Sequence, residues 1–331
     1  GIAGHHIRGQ NSRGMVTVYH NRIVTDEDIR RAIDAAQVLI PNDREVLHIL
    51  PQEFIVDDQD GVQNPLGMAA ARLEVNVHIV TGSVTSAQNI IKCCNQSGLD
   101  VEDIVLEPLS SSQAVLSPDE QEVGVVLVDI GGGTTDVTIY SEGSIVHTAV
   151  LALGGNHLTH DIAIGLGAPL HEAEEIKHNF GVAMTSMVKE NDMIEVPSVG
   201  GRNNRTMKKR VLASIIEDRF REIFELIAHE IEKTHFHTLM ASGVVITGGT
   251  CIMPGADQLA SQVLNLPVRV GFPENISGLR EMIYSPKYAT SVGLVRYGIT
   301  SNQGKLHFAG DDTNLFHKVS RRMKDWMQNF F

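Results

Sequence analysis

Residues 125–140 read VVLVDIGGGTTDVTIY: an apolar run, three glycines, two threonines, an aspartate and a second apolar run. The pattern predicts strand, glycine turn, strand. Gly131, Gly132 and Gly133 can take backbone dihedrals closed to other residues and present N–H groups with no side chain in the way, which makes the turn a phosphate cradle. Thr134 and Thr135 add hydroxyl donors. Asp129, at the strand end, offers the oxygen ligand that a hydrated Mg²⁺ prefers. No lysine follows the glycines, so this is not a Walker-type loop. The bland alternative is a glycine-rich hairpin turn; the aspartate before, the threonines after and a further aspartate in the next strand weigh against it.

A second glycine turn lies in VVITGGTCIMPG, residues 244–255, again after an apolar strand and before a helix. Gly248 and Gly249 would let backbone approach a flat ligand closely, with Thr250 and Met253 lining it. Such turns are common singly. Paired with the first, this one points to a nucleotide whose phosphates and adenosine are held at opposite ends.

Around these turns, strands alternating with helices indicate an α/β layer. Upstream, residues 5–82 form a small α+β unit: GMVTVY, EVLHILPQEFIVD and ARLEVNVHIVT read as strands, and TDEDIRRAIDAAQVL as a helix capped by Thr25. SAQNIIKCCNQSG reads as an amphipathic helix with Cys93 and Cys94 as small, partly buried residues. Residues 165–240 are mainly helical, interrupted by an exposed basic loop, VGGRNNRTMKKR. The stretch AHEIEKTHFH places His229 and His235 six residues apart, about 240° around a helix, so it is a solvated helix end rather than a zinc site.

The 331-residue chain carries a net charge of −13, which excludes nucleic acid as a partner of its body. Three cysteines with no CxxC pair indicate a reducing compartment. No apolar run is long enough to span a bilayer, and the first residues lack the pattern of a signal peptide. The last fourteen residues, KVSRRMKDWMQNFF, hold the only tryptophan and four basic residues. At 100° per residue, Leu315, Phe316, Val319, Met323, Trp326, Met327, Phe330 and Phe331 share an arc of about 160°. Arg322 and Lys324 flank it, where long side chains can snorkel to lipid phosphates. This is the pattern of an interfacial helix on an anionic membrane surface; a core or partner-docking helix is the alternative.

The succession DIGGGTTD, EAEEIK, TGGTCIMPG and SVGLVRYG resembles the actin, sugar-kinase and DnaK-type chaperone superfamily. Within it, the chain is similar end to end to the FtsA family of bacterial division proteins, notably in GIAGHHIRGQNSRGMVTV, VLHILPQEFIVDDQDGVQNPLGM, IEVPSVGGR and the C-terminal helix. The resemblance implies an α/β, actin-like (ribonuclease H-like) two-lobed ATPase fold with an α+β insertion and a terminal amphipathic helix. It divides the chain into an incomplete first lobe (1–4, 83–122 and 287–302), the insertion (5–82), a second lobe (123–164 and 241–286), a helical FtsZ-binding part (165–240), a linker (303–314) and a membrane helix (315–331).

For the site, the resemblance implies ATP and Mg as cofactors. Asp129 and Gly131 to Thr135 match the second phosphate loop, with Asp129 holding Mg²⁺ through water; Gly248, Gly249, Thr250 and Met253 match the adenosine loop. Glu174 and Lys177 match a ribose-contacting pair, and their spacing sets them on one helix face. Glu107 falls where a carboxylate would orient a water at the γ-phosphate, in proteins with at most weak ATPase activity. The family's first phosphate loop lies upstream of Gly1, so the expectation is that this chain holds half the phosphate clamp and binds nucleotide poorly.

Implied partners are the acidic C-terminal peptide of FtsZ, drawn to Arg219 and Arg210 among Arg202, Arg205, Lys208 and Lys209, further FtsA subunits in a polymer, later membrane proteins of the divisome, and the lipid surface. The implied location is the cytoplasmic side of the inner membrane at the septum. The competing readings are an ATP-hydrolysing kinase or chaperone, and a pilus-assembly actin homologue.

Overall fold

A computed structural model describes residues 1–303 apart from 20, 38–40, 199–202, 235–239 and 279. The terminal helix read at 315–331, with the linker from 304 onward, and Arg202, His235 and His237 lie outside the described residues.

The chain opens with β1 (Arg8–Thr17), α1 (Asp26–Ala35), β2 (Arg44–Val56), β3 (Gln59–Val62) and β4 (Arg72–Ser83). These form an antiparallel sheet in the order β1-β4-β2-β3 with α1 on one face. Thr25 caps α1 in a capping box with Asp28, so two orphan amides of the first turn are satisfied reciprocally. Ile29, Ala32 and Ile33 of α1 pack on Phe54, Leu73, Val75, Val77 and Ile79. The helix crosses β1 so closely that a Cβ on Gly14 would overlap the Ala32 carbonyl. The short strand β3 lies between the two runs read as strands, EVLHILPQEFIVD and ARLEVNVHIVT.

There follow α2 (Val84–Gln96), α3 (Glu107–Val115), α4 (Pro118–Val123), β5 (Val125–Ile130), β6 (Thr135–Ser141), β7 (Ser144–Leu151), α5 (Gly155–Leu166) and α6 (Leu170–Phe180). Next come β8 (Met193–Val196), β9 (Arg205–Lys208), α7 (Lys209–Glu232), β10 (Val244–Thr247), α8 (Ala256–Leu264), β11 (Val268–Val270), α9 (Arg280–Ile283) and α10 (Ala289–Gln303). Two sequence expectations change here. The basic stretch ending at Arg210 is not loop throughout: Arg205–Lys208 pair antiparallel with Met193–Val196, and Lys209 and Arg210 already belong to α7. Cys93 is exposed rather than partly buried.

The central sheet runs β11-β10-β5-β6-β7, parallel across β11, β10 and β5 and antiparallel from β5 to β7. Every residue of β5 is buried, because both faces of the sheet are covered. Strand alternation sends Val126, Val128 and Ile130 to a core built with α5, α6, α7 and α8, where Phe220 and Phe224 of α7 stack. Val125 and Leu127 face the other way, onto Leu106, Ala114, Val115 and Ala289 around α3 and α10. In this second layer Ile2 bridges Leu106 in parallel, and Gly293 of α10 sits so tightly on α3 that a Cβ would overlap the Ser110 carbonyl.

The insertion sheet seals the β7 edge of the central sheet. Asn11 Nδ2 donates to the Val146 carbonyl (3.1 Å) and Gln52 Nε2 to that of Ile145 (2.9 Å), while Ser144 Oγ donates to the Gln52 carbonyl (3.1 Å). His78, 1 % exposed, bonds Asn11 Oδ1 (2.6 Å) and Thr148 Oγ1 (2.9 Å) across the same seam. Edge groups of β7 that would otherwise template another strand are thereby satisfied by side chains.

Candidate nucleotide-binding cleft

The β5–β6 turn and the turn after β10 meet because their strands are neighbours in register: Thr247 pairs with Asp129. A third turn joins them, Gly154–Gly155 between β7 and α5. The Gly155 N–H donates to the Gly131 carbonyl (2.9 Å) and the Asn156 N–H to the Gly132 carbonyl (2.8 Å). The Thr250 hydroxyl donates to the Gly131 carbonyl (2.9 Å). A cavity of about 370 Å³ opens at this junction, lined by Gly132, Gly155, Asn156, Glu174, Lys177, His178, Gly249, Thr250, Met253 and Lys287 among others. Six residues expected from the sequence thus share one cavity: Gly132, Glu174, Lys177, Gly249, Thr250 and Met253.

The glycines act by lacking a side chain. None of Gly131, Gly132 and Gly133 takes a positive φ, so the dihedral freedom expected of them is not what the fold uses. Gly132 and Gly133 are exposed, and among the described residues their amides have no backbone acceptor. Gly248 does need its φ of 91°, but the backbone it approaches is the protein's own: a Cβ would lie 2.4 Å from the Ile130 carbonyl oxygen. Of the two glycines, Gly249 lines the cavity and Gly248 does not.

The threonines also divide. Thr134 Oγ1 donates to Asp136 Oδ2 (3.0 Å) at the turn's surface. Thr135, read as a phosphate donor, is fully buried with its hydroxyl given to the Leu153 carbonyl (2.9 Å), because the first residue of β6 faces the core. Lys177, expected to reach a ribose, is 8 % exposed, and its ammonium is committed to the Gly155 carbonyl (3.0 Å), Thr159 Oγ1 (2.7 Å) and Glu174 Oε2 (2.7 Å). Its three donors are used up, so Lys177 clamps α6 to the first turn of α5 and orients Glu174. Burial works against the Glu174 carboxylate, but the bonds from Lys177 and Thr159 outweigh it and hold its pKa below the usual value. His178 stands 3.0 Å from the other Glu174 oxygen.

Behind the phosphate turn lies an all-carboxylate floor. Asp129 is 7 % exposed, and accepts from Ser111 and from Thr290 (3.2 Å). Its register partner across β5–β6 is Asp136, 3 % exposed. Burial, and then the Asp129 charge, push Asp136 up to about 7, and its Oδ1 has no hydrogen-bond partner among the described residues. Burial raises Asp129 as well, and burial followed by Asp129 raises Glu107, the first residue of α3. An oxygen-only donor set with one orphaned lone-pair site fits a hard cation such as Mg²⁺.

Arg219 belongs to a separate cavity of about 760 Å³ between α5, α6 and α7, which shares Asn156 and Glu174 with the first. Its guanidinium forks onto Asp161 (2.5 and 3.1 Å) and touches Glu222. Arg210 does not join it: nine residues apart on α7 puts the two about 13 Å apart along the axis and on opposite faces. Among the described residues no group of three or more His, Cys, Asp and Glu side chains is gathered closely enough to hold a metal ion.

Sequence reasoning missed Gly154, Gly155, Asn156, Thr159, His178 and Lys287. The first three carried a signal, since LALGGNH is again strand, Gly-Gly and helix. Lys287 carried none.

A central sheet with glycine turns at the ends of β5 and β10 and a helix-borne Glu/Lys pair across the cleft is the architecture of the actin-like ATPases. Among solved structures, a PilM–PilN type IV pilus biogenesis complex is similar at a TM-score of 0.57 with 15% identity, covering 88% of this chain and 76% of that one. MreB 5 of Spiroplasma citri bound to AMPPNP is similar at 0.54 with 19% identity, over 67% and 66% of the two chains. The profile described as "Cell division protein FtsA" matches residues 126–293, and that of the "SHS2 domain inserted in FTSA" matches residues 4–81. Curated cell division proteins FtsA are 43% identical in Pseudomonas aeruginosa and 41% in Neisseria meningitidis, each over 100% of this chain and 81% of the relative. That of Escherichia coli K12 is 38% identical over 100% and 80%. The chain belongs to the FtsA family of actin-like cell division proteins.

Proposed function

We propose that the cleft binds adenine nucleotide with Mg²⁺ and that the chain is a nucleotide-responsive adaptor, self-associating and tethering FtsZ polymers to the cytoplasmic face of the inner membrane, where later divisome proteins join it. The observation that carries the nucleotide reading is the convergence of three glycine turns on one cavity beside the Glu174–Lys177 pair. The presence of AMPPNP in the similarly folded MreB 5 structure supports the same reading.

Asp129 and Asp136 would hold the Mg²⁺, which when bound neutralises charge on the phosphates. The chain's own groups do the rest. The amides of Gly132 and Gly133 face the phosphates, Glu174 accepts from sugar hydroxyls while Lys177 keeps it in place, and Ile252 and Met253 offer an apolar wall to the base. For the FtsZ peptide, the cavity between α5, α6 and α7 is the fitting seat, with Arg219 at its rim and exposed Leu170 on its wall. A partner carboxylate would compete there with Asp161 and Glu222 for the guanidinium. Membrane residence would rest on residues 315–331, whose apolar arc flanked by Arg322 and Lys324 suits an anionic lipid surface.

Two experiments test the reading. Calorimetric titration with MgATP is expected to give a heat that Gly132→Val abolishes; equal heats would remove the cleft from nucleotide binding. Sedimentation with anionic liposomes is expected to pellet the whole chain but not a form ending at residue 314. Equal pelleting of both would sink the tether.

A further inference from the structure

We infer that Thr250 is a positioning residue that aims the phosphate-turn amides through the Gly131 carbonyl, rather than a residue that lines the base. The inference rests on the nucleotide reading of the cleft and assigns Thr250 to the opposite end of that ligand.

The Gly131 carbonyl accepts two bonds, one from the Gly155 N–H and one from the Thr250 hydroxyl, each 2.9 Å long. Both of its lone pairs are therefore used. The next carbonyl, Gly132, accepts from the Asn156 N–H at 2.8 Å. In a trans peptide the C=O and the N–H that follows it point in opposite directions within the same plane, and none of the described peptide bonds is cis. Pinning the Gly131 oxygen toward Thr250 and α5 therefore turns the Gly132 N–H away from them, and pinning the Gly132 oxygen does the same for the N–H of Gly133. Both glycines are exposed, so these donors face outward where an anion can meet them.

Of the three pegs, two are backbone amides of the first turn of α5, and Thr250 is the side chain. Its hydroxyl reaches across 119 residues of sequence and ties the β10 turn to the β5 turn. Gly155 is part of the device, since a Cβ there would come within 2.6 Å of Thr250 Oγ1. A hydroxyl donor is essential because the acceptor is a carbonyl; valine keeps the shape and removes the donor. A hydrogen-bonded carbonyl also polarises its peptide, which strengthens the N–H on the far side as a donor to phosphate.

The consequence is that Thr250 acts on phosphates without touching them. Thr250→Val and Thr250→Ser, made in the whole chain, test this with two ligands, MgADP and adenosine, and one ligand-free signature, the amide resonance of Gly132 by NMR. The valine variant is expected to bind MgADP about five- to tenfold more weakly, the size of one net hydrogen bond, with adenosine binding changed less than twofold. It is also expected to shift the Gly132 resonance, and serine to restore both. Equal losses for adenosine and MgADP would mean that Thr250 touches the nucleoside directly and would overturn the inference. An unmoved Gly132 resonance in the valine variant would overturn it too. Should the unmodified chain bind neither ligand, the nucleotide reading fails, and the resonance alone decides whether Thr250 holds the turn.

Discussion

A Cβ placed on Gly154 would lie 2.6 Å from the Gly131 carbonyl oxygen and 2.8 Å from that of Gly132, both of which are already fixed by other hydrogen bonds. Backbone has to yield for the side chain to enter, so Gly154→Ala is expected to lower unfolding free energy by about 1 to 3 kcal/mol and to weaken MgATP binding. Gly133→Ala, with nothing within 4 Å of its Cβ, should unfold with the unmodified chain in urea. Coincident midpoints for all three would show the turn to be looser than drawn. At this scale the sequence made residue types legible but not their directions. DIGGGTTD located the turn, yet which threonine faces out depends on where β6 begins, and that is set by pairing with β7. Likewise EAEEIK put Glu174 and Lys177 on one face, but only the packing of α5 against α6 reveals that Lys177 spends its donors on protein.

Elements were the most readable level. The apolar run of β5 and the 24-residue α7 follow from hydrophobic pattern, and Thr25 before three acidic residues marks the start of α1. The strands β3 and β9 were not readable, being four residues each and polar, so pairing with a neighbour rather than propensity makes them strands. The contact of α10 with α3 was equally hidden, because SVGLVRYG shows a helix without showing that Gly293 is its point of closest approach. Gly293→Ala is expected to cost more than about 2 kcal/mol by overpacking, since the atom in its way is the Ser110 carbonyl. Val295→Ala on the exposed side of the same helix should leave thermal denaturation nearly unchanged. If the two variants melt together, the helices do not rely on that contact.

The insertion and the central sheet are joined through buried polar groups, and this gives the whole molecule an acid limb. Burial, and then the nearby His147, bring His78 down to about 4 from its usual 6.5. Unfolded chain takes up that proton at higher pH than folded chain does, so the stabilisation is complete above about pH 6.5 and is lost as pH falls toward 4. Its full size is roughly 3 kcal/mol. Urea midpoints measured from pH 7.5 to 4.5 should fall through this window, and His78→Gln should flatten the fall; an identical slope in the variant would place the acid sensitivity elsewhere. The same seam limits how copies of the chain can meet. With the carbonyls of Ile145 and Val146 already taken by Gln52 and Asn11, the rim left to the central sheet among the described residues is the three residues of β11. Copies of the chain, if they assemble as proposed, would find little strand to add to in this sheet, so contacts through it would be made by side chains on folded surfaces, which can be undone without unravelling a ladder.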